Sequence, residues 1–324
     1  MSVDKLPKPT RVALIGSGTI GLSFAALHLT QSADVEVAIY DTRPDLKEYI
    51  EETLPGYLAT LSATITLPDL LSSRRLTLSP DLPTAVSTAD IVQEQGPETP
   101  AFKQSLWPQV ETHAPAHALF WSSTSGIPAS IQALHMHDKS RLIVVHPYNP
   151  PHIMPLLELV PSPTTPPALI ERTFAYWKAL ERAPVLLKRE TTGFVANRLA
   201  YALLREAVHL VQEGVVGVDE LDAIVENSMG PRWTVAGPFK SYHMGGGEGG
   251  LRAFFEKIGG TVQACWEEQG EVGFGKGEGW KERVFRETEE VYGPSVGLSV
   301  RERDEKTKAV LKARGEGLVP KKDR

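Results

Sequence analysis

Short apolar runs alternate with segments of helical spacing along the first 190 residues of the chain. Each run is a few residues long and rich in valine, isoleucine and leucine, as buried parallel strands are. Strands that alternate with helices predict the α/β class, with a doubly wound sheet. We expect the strands at 11–15, 35–40, 76–78, 91–92, 118–121, 142–145, 156–160 and 184–187.

The pattern changes from about residue 188 onwards. Three long segments (194–213, 218–229 and 251–265) carry apolar residues at helical spacing, and no convincing strand pattern follows them. This change predicts a second, smaller domain that is all-helical. We place the boundary between a first domain at residues 1–189 and a second at 190–324.

The bulk composition limits the classes of partner. The chain has 324 residues and a net charge of −6, which disfavours a nucleic-acid-binding surface. Its single cysteine, Cys265, excludes a disulfide framework and fits a reducing compartment. The first ten residues are polar, and no apolar run approaches the ~20 residues of a membrane helix. We therefore expect a cytoplasmic protein without membrane or nucleic-acid partners and without a metal.

A glycine-rich turn follows the first predicted strand. Gly16, Gly18 and Gly21, with Thr19 and Ile20 between them, lead from strand to helix, which is the context of a Rossmann-type phosphate-binding turn. Asp41 ends the second strand twenty residues after Gly21, where a carboxylate accepts hydrogen bonds from the adenosine ribose. An acid there repels a 2′-phosphate, so we predict NAD as the cofactor rather than NADP. Arg43 is the one feature that opposes this preference.

A second candidate site begins at His146, in the segment His-Pro-Tyr-Asn-Pro. The apolar run before it is a predicted strand, and ligands of open α/β sheets bind at the carboxyl ends of strands. Glu158 stands twelve residues further on within another apolar run, where a carboxylate is costly without a partner. A carboxylate beside an imidazole fixes its tautomer and favours a general base. Single histidines are mostly solvated or satisfied within a core, but here the glycine-rich turn supplies an independent signal.

Two further segments carry polar residues where a dehydrogenase site needs them. The run Ser-Ser-Thr-Ser-Gly at 122–126 directly follows a predicted strand, and Asn197 begins the first predicted helix of the second domain. Taken singly, such residues are often helix caps or surface side chains. Their joint occurrence with His146 and Glu158 favours a common active site.

With these motifs, the chain resembles the 3-hydroxyacyl-CoA dehydrogenase superfamily over nearly its whole length. The shared motifs are H-x-x-N-P, the glutamate at plus twelve, a serine about twenty residues before the histidine, and G-F-x-x-N-R. The resemblance implies that His146 is the general base and Glu158 its orienting partner, and that Ser125 and Asn197 bond the substrate oxygen. It also implies that Asn149 lies beside the nicotinamide and Glu94 near its ribose or carboxamide, and Ser123 is a further candidate for binding the cofactor.

Departures from the acyl-CoA pattern indicate a branch. The chain has S-S-T-S and H-P-Y-N-P where acyl-CoA enzymes usually have S-N-T-S and H-F-F-N-P. These variants resemble lambda-crystallin, an L-gulonate 3-dehydrogenase, and the bacterial L-carnitine dehydrogenases. The segment at 45–73 has five acidic residues against the single Lys47, which makes it a poor partner for the phosphates of CoA. Arg232 beside Trp233, expected after a glycine-proline turn, is a candidate clamp for a free carboxylate.

The sequence thus predicts an NAD-dependent dehydrogenase of a small 3-hydroxy acid, with L-gulonate as first choice and L-carnitine as second. Four aromatic residues are candidates for contact with a trimethylammonium group, although they also suit an ordinary core: Tyr148, Trp233, Phe239 and Tyr242. One alternative is a short-chain 3-hydroxyacyl-CoA dehydrogenase, and another is a non-catalytic NAD-binding structural protein. The resemblance also implies a homodimer formed through the helical domain.

Overall fold

The computed structural model describes residues 9–62, 64–270, 272–274, 279–293 and 300–314. Its first part contains one eight-stranded sheet in the order β3-β2-β1-β4-β5-β6-β7-β8. All neighbouring strands are parallel except β6 and β7, which run antiparallel. The strands are β1 (Thr10–Ile15), β2 (Val35–Tyr40), β3 (Leu76–Leu78), β4 (Ile91–Glu94), β5 (Leu119–Ser122), β6 (Leu142–Pro147), β7 (Leu156–Pro161) and β8 (Ala183–Leu186).

Helices cover both faces of this sheet, as strands that are apolar on both sides require. One core packs strand residues against α1, α2, α3 and α7, and the other packs them against α4, α5 and α6. These helices are α1 (Thr19–Gln31), α2 (Leu46–Leu61), α3 (Leu67–Ser72), α4 (Leu82–Val86), α5 (Pro100–His113), α6 (Ala129–Gln132) and α7 (Pro167–Ala179). The predicted doubly wound, Rossmann-type sheet is confirmed.

The rest of the described chain is helical, which confirms the predicted character of the second part. Two compact units divide between Asn197 and Arg198, near the boundary that the sequence analysis placed at residue 190. The helices are α8 (Ala196–Gln212), α9 (Val218–Asn227), α10 (Met229–Val235), α11 (Pro238–Gly245), α12 (Gly250–Glu268), α13 (Trp280–Tyr292) and α14 (Val300–Ala313).

The glycine-proline turn expected before Arg232 is not present. Gly230 and Pro231 instead lie in the first turn of α10, so Arg232 and Trp233 are helical residues. Proline is tolerated in a first helical turn because the N–H it lacks has no partner within the helix there. The expectation of a turn was therefore wrong, because the same dipeptide suits a helix start.

His28 of α1 is a polar residue inside the first core. Its Nε2 lies 2.9 Å from Gln93 Oε1 and its Nδ1 2.8 Å from the Tyr176 hydroxyl. Burial lowers the pKa of His28 to about 4. The folded protein therefore keeps this imidazole neutral over a range of pH in which an exposed histidine takes up a proton.

This shift predicts how stability depends on pH. Between about pH 6.5 and pH 4 the unfolded chain binds a proton at His28 that the folded chain does not, so acidification lowers the free energy of unfolding. The loss over this range is about 3 kcal/mol from this residue. Urea unfolding at pH 7 and pH 4 should therefore show a larger loss for the wild type than for His28→Gln. His135→Gln, at an exposed site, should behave as wild type, and equal losses in all three proteins would contradict the prediction.

Candidate active site

The glycine-rich turn joins β1 to α1 with a backbone path that only glycine permits at two positions. Gly16 has φ of +102°, a conformation that L side chains rarely adopt. A Cβ placed on Gly21 would lie 2.0 Å from the carbonyl oxygen of Gly16, so a side chain there would force helix and strand apart. The turn therefore holds the start of α1 close against the end of β1.

The first turn of α1 is open to an anion. Gly18 is the N-cap and has no side chain to cap the helix, and among the described residues no side-chain hydrogen bond is made by the first N–H groups of α1. A Cβ on Gly18 would meet no described atom within 4 Å. Free N–H groups at the positive end of a helix dipole favour phosphate oxygens. The local geometry thus fits a pyrophosphate.

Asp41 stands beside this turn at the end of β2. Its Oδ2 accepts hydrogen bonds from the Ser17 amide at 2.6 Å and the Ser17 hydroxyl at 2.7 Å. Burial works to raise the pKa of Asp41, but the bonds from Ser17 and the Arg43 amide bring it below its ordinary value. Arg43, in contrast, is turned away: its guanidinium binds Asp45 at 2.9 Å and lies over the Tyr49 ring. The negative charge of Asp41 therefore dominates this end of the turn.

His146 and Glu158 form a buried pair. The antiparallel register of β6 and β7 sets them directly opposite each other, and His146 Nδ1 lies 2.8 Å from Glu158 Oε2. Only 4% of His146 and 2% of Glu158 is exposed. Burial works to raise the pKa of Glu158, but the hydrogen bonds from His146 and from two backbone amides bring it below its ordinary value. An ionised Glu158 accepts the proton on Nδ1 and leaves the His146 Nε2 as a base.

The other oxygen of Glu158 holds the start of α8. Glu158 Oε1 accepts hydrogen bonds from the amides of Val195 at 2.9 Å and Ala196 at 3.0 Å. Phe194, just before them, has φ of 51° and is fully buried, with its ring centroid 5.2 Å from that of His146. One carboxylate therefore fixes both the imidazole and the first turn of the next helix.

The Ser125 loop, residues 122–126 at the end of β5, is held from two sides. Glu98 Oε1 accepts hydrogen bonds from the Ser125 amide at 2.9 Å, the Gly126 amide at 3.2 Å and the Thr124 hydroxyl. Asn197 Nδ2 donates to the Ser125 carbonyl at 2.9 Å. The structure thus brings Ser125 and Asn197 together, while the Ser125 side chain stays exposed. Sequence reasoning missed Glu98, whose position between two predicted elements gave no sign of this contact.

Glu94 lies in a buried ion pair that the sequence did not reveal. Lys103 Nζ donates to both oxygens of Glu94 at 2.9 Å, and the Ser122 hydroxyl and the Gly96 amide donate to them as well. Both side chains of the pair are almost fully buried. These contacts of Glu94 are all with other groups of the protein. Lys103 Nζ also lies 3.7 Å from a carboxylate oxygen of Glu98. The predicted contact of Glu94 with the nicotinamide half stays a prediction.

Three other predicted residues are exposed in the structure: Asn149 after β6, and Arg232 and Trp233 on α10. A fourth, Ser123 after β5, is half-buried. Gln93 Nε2 donates to the Ser123 hydroxyl at 3.3 Å. Arg232 forms no ion pair with any described residue, and Trp233 is 39% exposed. Their roles stay predictions.

Within the part of the chain that the structure describes, no group of three or more histidine, cysteine, aspartate or glutamate side chains is arranged to hold a metal ion. No helix in that part is long and apolar enough to span a bilayer.

Comparisons with known proteins agree with the geometry. Residues 11–191 match the family "3-hydroxyacyl-CoA dehydrogenase, NAD binding domain", and residues 193–280 match "3-hydroxyacyl-CoA dehydrogenase, C-terminal domain". An L-carnitine dehydrogenase of Streptomyces coelicolor is 33% identical over 313 residues, 97% of each chain. A 3-hydroxyacyl-CoA dehydrogenase of Gibberella moniliformis is 33% identical over 265 residues, 79% of each chain.

A solved structure is also similar. It is that of 5-formyl-3-hydroxy-2-methylpyridine 4-carboxylic acid 5-dehydrogenase, an NAD+-dependent dismutase, with 26% identity and a TM-score of 0.75 over 94% of this chain and 98% of that one. The chain belongs to the 3-hydroxyacyl-CoA dehydrogenase family. It is an NAD-dependent oxidoreductase that acts on a CH–OH group. The open first turn of α1 and the carboxylate of Asp41 fit the pyrophosphate and ribose of this cofactor.

The position of Asp41 predicts the cofactor preference of variants. Asp41→Ser removes an acceptor for the ribose hydroxyls and a charge that repels a 2′-phosphate, so the Kd for NAD should rise about 10-fold or more. The Kd for NADP should fall at the same time. Quenching of tryptophan fluorescence measures both constants. Asp138→Ser is the control, because it removes an exposed carboxylate that lies before the amino end of β6, away from the glycine-rich turn. An unchanged ratio of the two constants in Asp41→Ser would contradict the role of Asp41.

Proposed function

We propose that this protein oxidises the 3-hydroxyl group of a small free carboxylic acid, with L-carnitine as the first candidate substrate. The observation that carries the proposal is the buried pair of His146 and Glu158, 2.8 Å apart at the carboxyl edge of the sheet. An imidazole held in one tautomer by a carboxylate is suited to remove a hydroxyl proton. The family, its cofactor and this pair together support the proposed reaction.

In the proposed mechanism, His146 Nε2 accepts the proton of the 3-hydroxyl group. NAD, when bound, would supply the acceptor for the hydride on C3, so that the alcohol carbon would become a carbonyl. Glu158 stays ionised and stabilises the imidazolium that results, because its pKa is held below the ordinary value. Its second oxygen is bonded to the start of α8, so the carboxylate does not need to reorient during the proton transfer.

Ser125 and Asn197 are proposed to hold the reacting oxygen. Their mutual contact uses the backbone carbonyl of Ser125 and one N–H of the Asn197 amide. The Ser125 hydroxyl and the remaining N–H of Asn197 are therefore available to a substrate oxygen. Donors fixed before the reaction stabilise developing charge more effectively than donors that must reorganise.

A free acid is favoured over an acyl-CoA by the charges on the first unit. Three glutamates of α2 point to solvent: Glu48, Glu51 and Glu52. Lys47 is paired with Glu51 across 3.9 Å, and the Arg75 guanidinium is bonded to three backbone carbonyls. Both cations are therefore engaged, and the exposed glutamates of α2 leave this surface acidic, which opposes the phosphates of an acyl-CoA.

The relatives change the order of the two candidate acids. The sequence favoured L-gulonate, whereas relatives named L-carnitine dehydrogenase match the chain over up to 97% of its length. A trimethylammonium group binds to aromatic faces. Four aromatic side chains are at least partly exposed instead of forming a core: Tyr148 (37%), Trp233 (39%), Tyr242 (43%) and Phe239 (79%). This exposure suits recognition of a ligand, so L-carnitine now stands first and L-gulonate second.

Initial rates of NADH formation test the proposed function. L-Carnitine, L-gulonate and 3-hydroxybutyrate are compared at alkaline pH, beside the reduction of acetoacetyl-CoA. We expect the highest kcat/KM with L-carnitine. A higher value with acetoacetyl-CoA would favour an acyl-CoA dehydrogenase instead, and cofactor binding without any turnover would favour a non-catalytic role.

Arg232 is proposed to bind the carboxylate of the acid. Because its guanidinium has no described ion-pair partner, it is available for a bidentate contact. Arg232→Ala should raise the KM for the preferred acid about 10-fold or more and change kcat little, since a charge-assisted contact of this kind acts in the ground state and the transition state alike. Arg205→Ala, on α8 and also exposed, is the control. An unchanged KM in Arg232→Ala would contradict the proposal that Arg232 binds the carboxylate of the acid.

A homodimer formed through the helical unit is also proposed. Large apolar side chains are exposed along several of its helices, including Leu199, Leu204, Ile224, Phe255 and Trp266. Helices α9, α10 and α11 have no buried residue. An exposed apolar surface of this extent indicates a partner, and a second copy of the chain supplies matching surface. Size-exclusion chromatography with light scattering should give twice the mass of one chain.

The cytoplasmic location stays a prediction.

A further inference from the structure

Gln95 is the exception among three polar residues at the end of β4. Gln93 and Glu94, directly before it, are both buried and both bonded to protein groups. Among the described residues, four buried side-chain polar atoms have no hydrogen-bond partner, and two of them are the Oε1 and Nε2 of Gln95. A buried amide without partners destabilises a protein, so such a group calls for a ligand.

The surroundings of Gln95 identify the ligand as part of the cofactor. The backbone N–H of Gln95 donates to the Ile15 carbonyl at 2.8 Å, which fixes the residue beside the glycine-rich turn. A Cβ on Gly16 would lie 3.0 Å from the Gln95 carbonyl oxygen, and one on Gly21 would lie 3.6 Å from Gln95 Oε1. The side-chain amide of Gln95 therefore lies directly against the glycine-rich turn, where the pyrophosphate is expected to bind.

The chemistry of the amide selects a portion of NAD. Gln95 has both a donor and an acceptor to satisfy, whereas a pyrophosphate offers acceptors only. A ribose hydroxyl offers both. The sheet order is β2-β1-β4, so Asp41 directly after β2 and Gln95 directly after β4 lie on opposite sides of β1. Asp41 faces the adenosine half, which leaves the ribose of the nicotinamide half for Gln95 on the side of β4, β5 and β6, where His146 stands.

We propose that Gln95 is a cofactor-positioning residue whose side-chain amide binds a hydroxyl of the nicotinamide ribose. The two hydrogen bonds would set the distance of the nicotinamide ring from the His146 side of the site. Gln95 thereby acts on the reaction through the cofactor and not through the substrate. This inference rests on the NAD binding of the family and not on the identity of the acid.

Binding of cofactor fragments to Gln95→Met tests the proposal. Methionine has a similar length but no amide, so the variant removes the polar atoms with little change in volume. Titration calorimetry should show a Kd for NAD and for ADP-ribose that is roughly 10-fold higher than in the wild type. The Kd for ADP, which lacks the second ribose, should stay unchanged. Equal weakening for ADP would overturn the ribose assignment, and unchanged binding of all three would overturn any cofactor role.

The stability of the unliganded protein gives a second readout of opposite sign. Because Gln95→Met removes an unpartnered buried amide, its Tm without cofactor should rise, by about 2–4 °C. Gln93→Met is the matched control, since it removes an amide that is bonded to His28 and Ser123. That variant should lower the Tm. A fall in the Tm of Gln95→Met equal to that of Gln93→Met would show a structural role and contradict the proposal. A carnitine assay without turnover would leave these binding results unaffected. Failure of the proposed function is therefore distinguishable from failure of the proposed role of Gln95.

Discussion

Replacing His146 by glutamine is expected to lower turnover by a factor of about 10² to 10⁴, the range that a general base contributes. Glutamine keeps a polar group opposite Glu158, but its amide does not take up a proton from a hydroxyl group. Cofactor binding depends on the glycine-rich turn and Asp41, so the Kd for NAD should change little. Steady-state rates and calorimetry measure the two effects separately.

A second histidine provides the control for this substitution. His135→Gln changes an exposed imidazole, and its turnover should equal that of the wild type. Retention of most activity in His146→Gln would contradict the assignment of the base. A parallel loss of NAD binding would indicate a damaged fold and not a lost proton acceptor.

Replacing Glu158 by glutamine is expected to have an effect of similar size, on the order of 10²-fold or more in turnover. The carboxylate accepts hydrogen bonds on both oxygens: from His146 on one and from the amides of Val195 and Ala196 on the other. A glutamine side chain of the same shape has one acceptor and one donor, so it must leave one of these contacts unmade. It also removes the charge that stabilises the imidazolium.

The matched control for this change is Glu190→Gln. Glu190 Oε1 accepts a hydrogen bond from the Ser130 amide at 2.8 Å, so the control also removes a carboxylate that is bonded to the backbone. Both variants should lose some thermal stability, but only Glu158→Gln should lose turnover. Comparable turnover in the two variants would show that the carboxylate of Glu158 is structural only.

Much of the fold could be predicted because the apolar pattern is strong in the first unit. Strands 35–40 and 76–78 agree with β2 and β3 residue for residue, since polar residues bound each run sharply. The direction of β7 could not be predicted. An antiparallel β7 depends on the eight residues between Pro147 and Leu156 folding back, and apolar periodicity contains no information about strand direction.

The candidate site was predictable where the chemistry depends on position along a strand. His146 at a strand end and Glu158 in a later apolar run were identifiable, because a carboxylate in such a run needs a partner, and the structure shows their contact. Lys103 and Gln95 were not identifiable. Lys103 lies in the first turn of α5, where most lysines point to solvent, and only tertiary packing turns it towards Glu94. The unpartnered amide of Gln95 is likewise a property of packing.

Oxidation at C3 of a free acid is tested most directly with L-carnitine that carries deuterium on C3. The labelled acid is incubated with the enzyme and NAD, and both products are analysed by mass spectrometry. We expect one deuterium in NADH and a 3-keto acid without the label. Deuterium retained in the oxidised product, or NADH formed without the label, would contradict the proposed reaction.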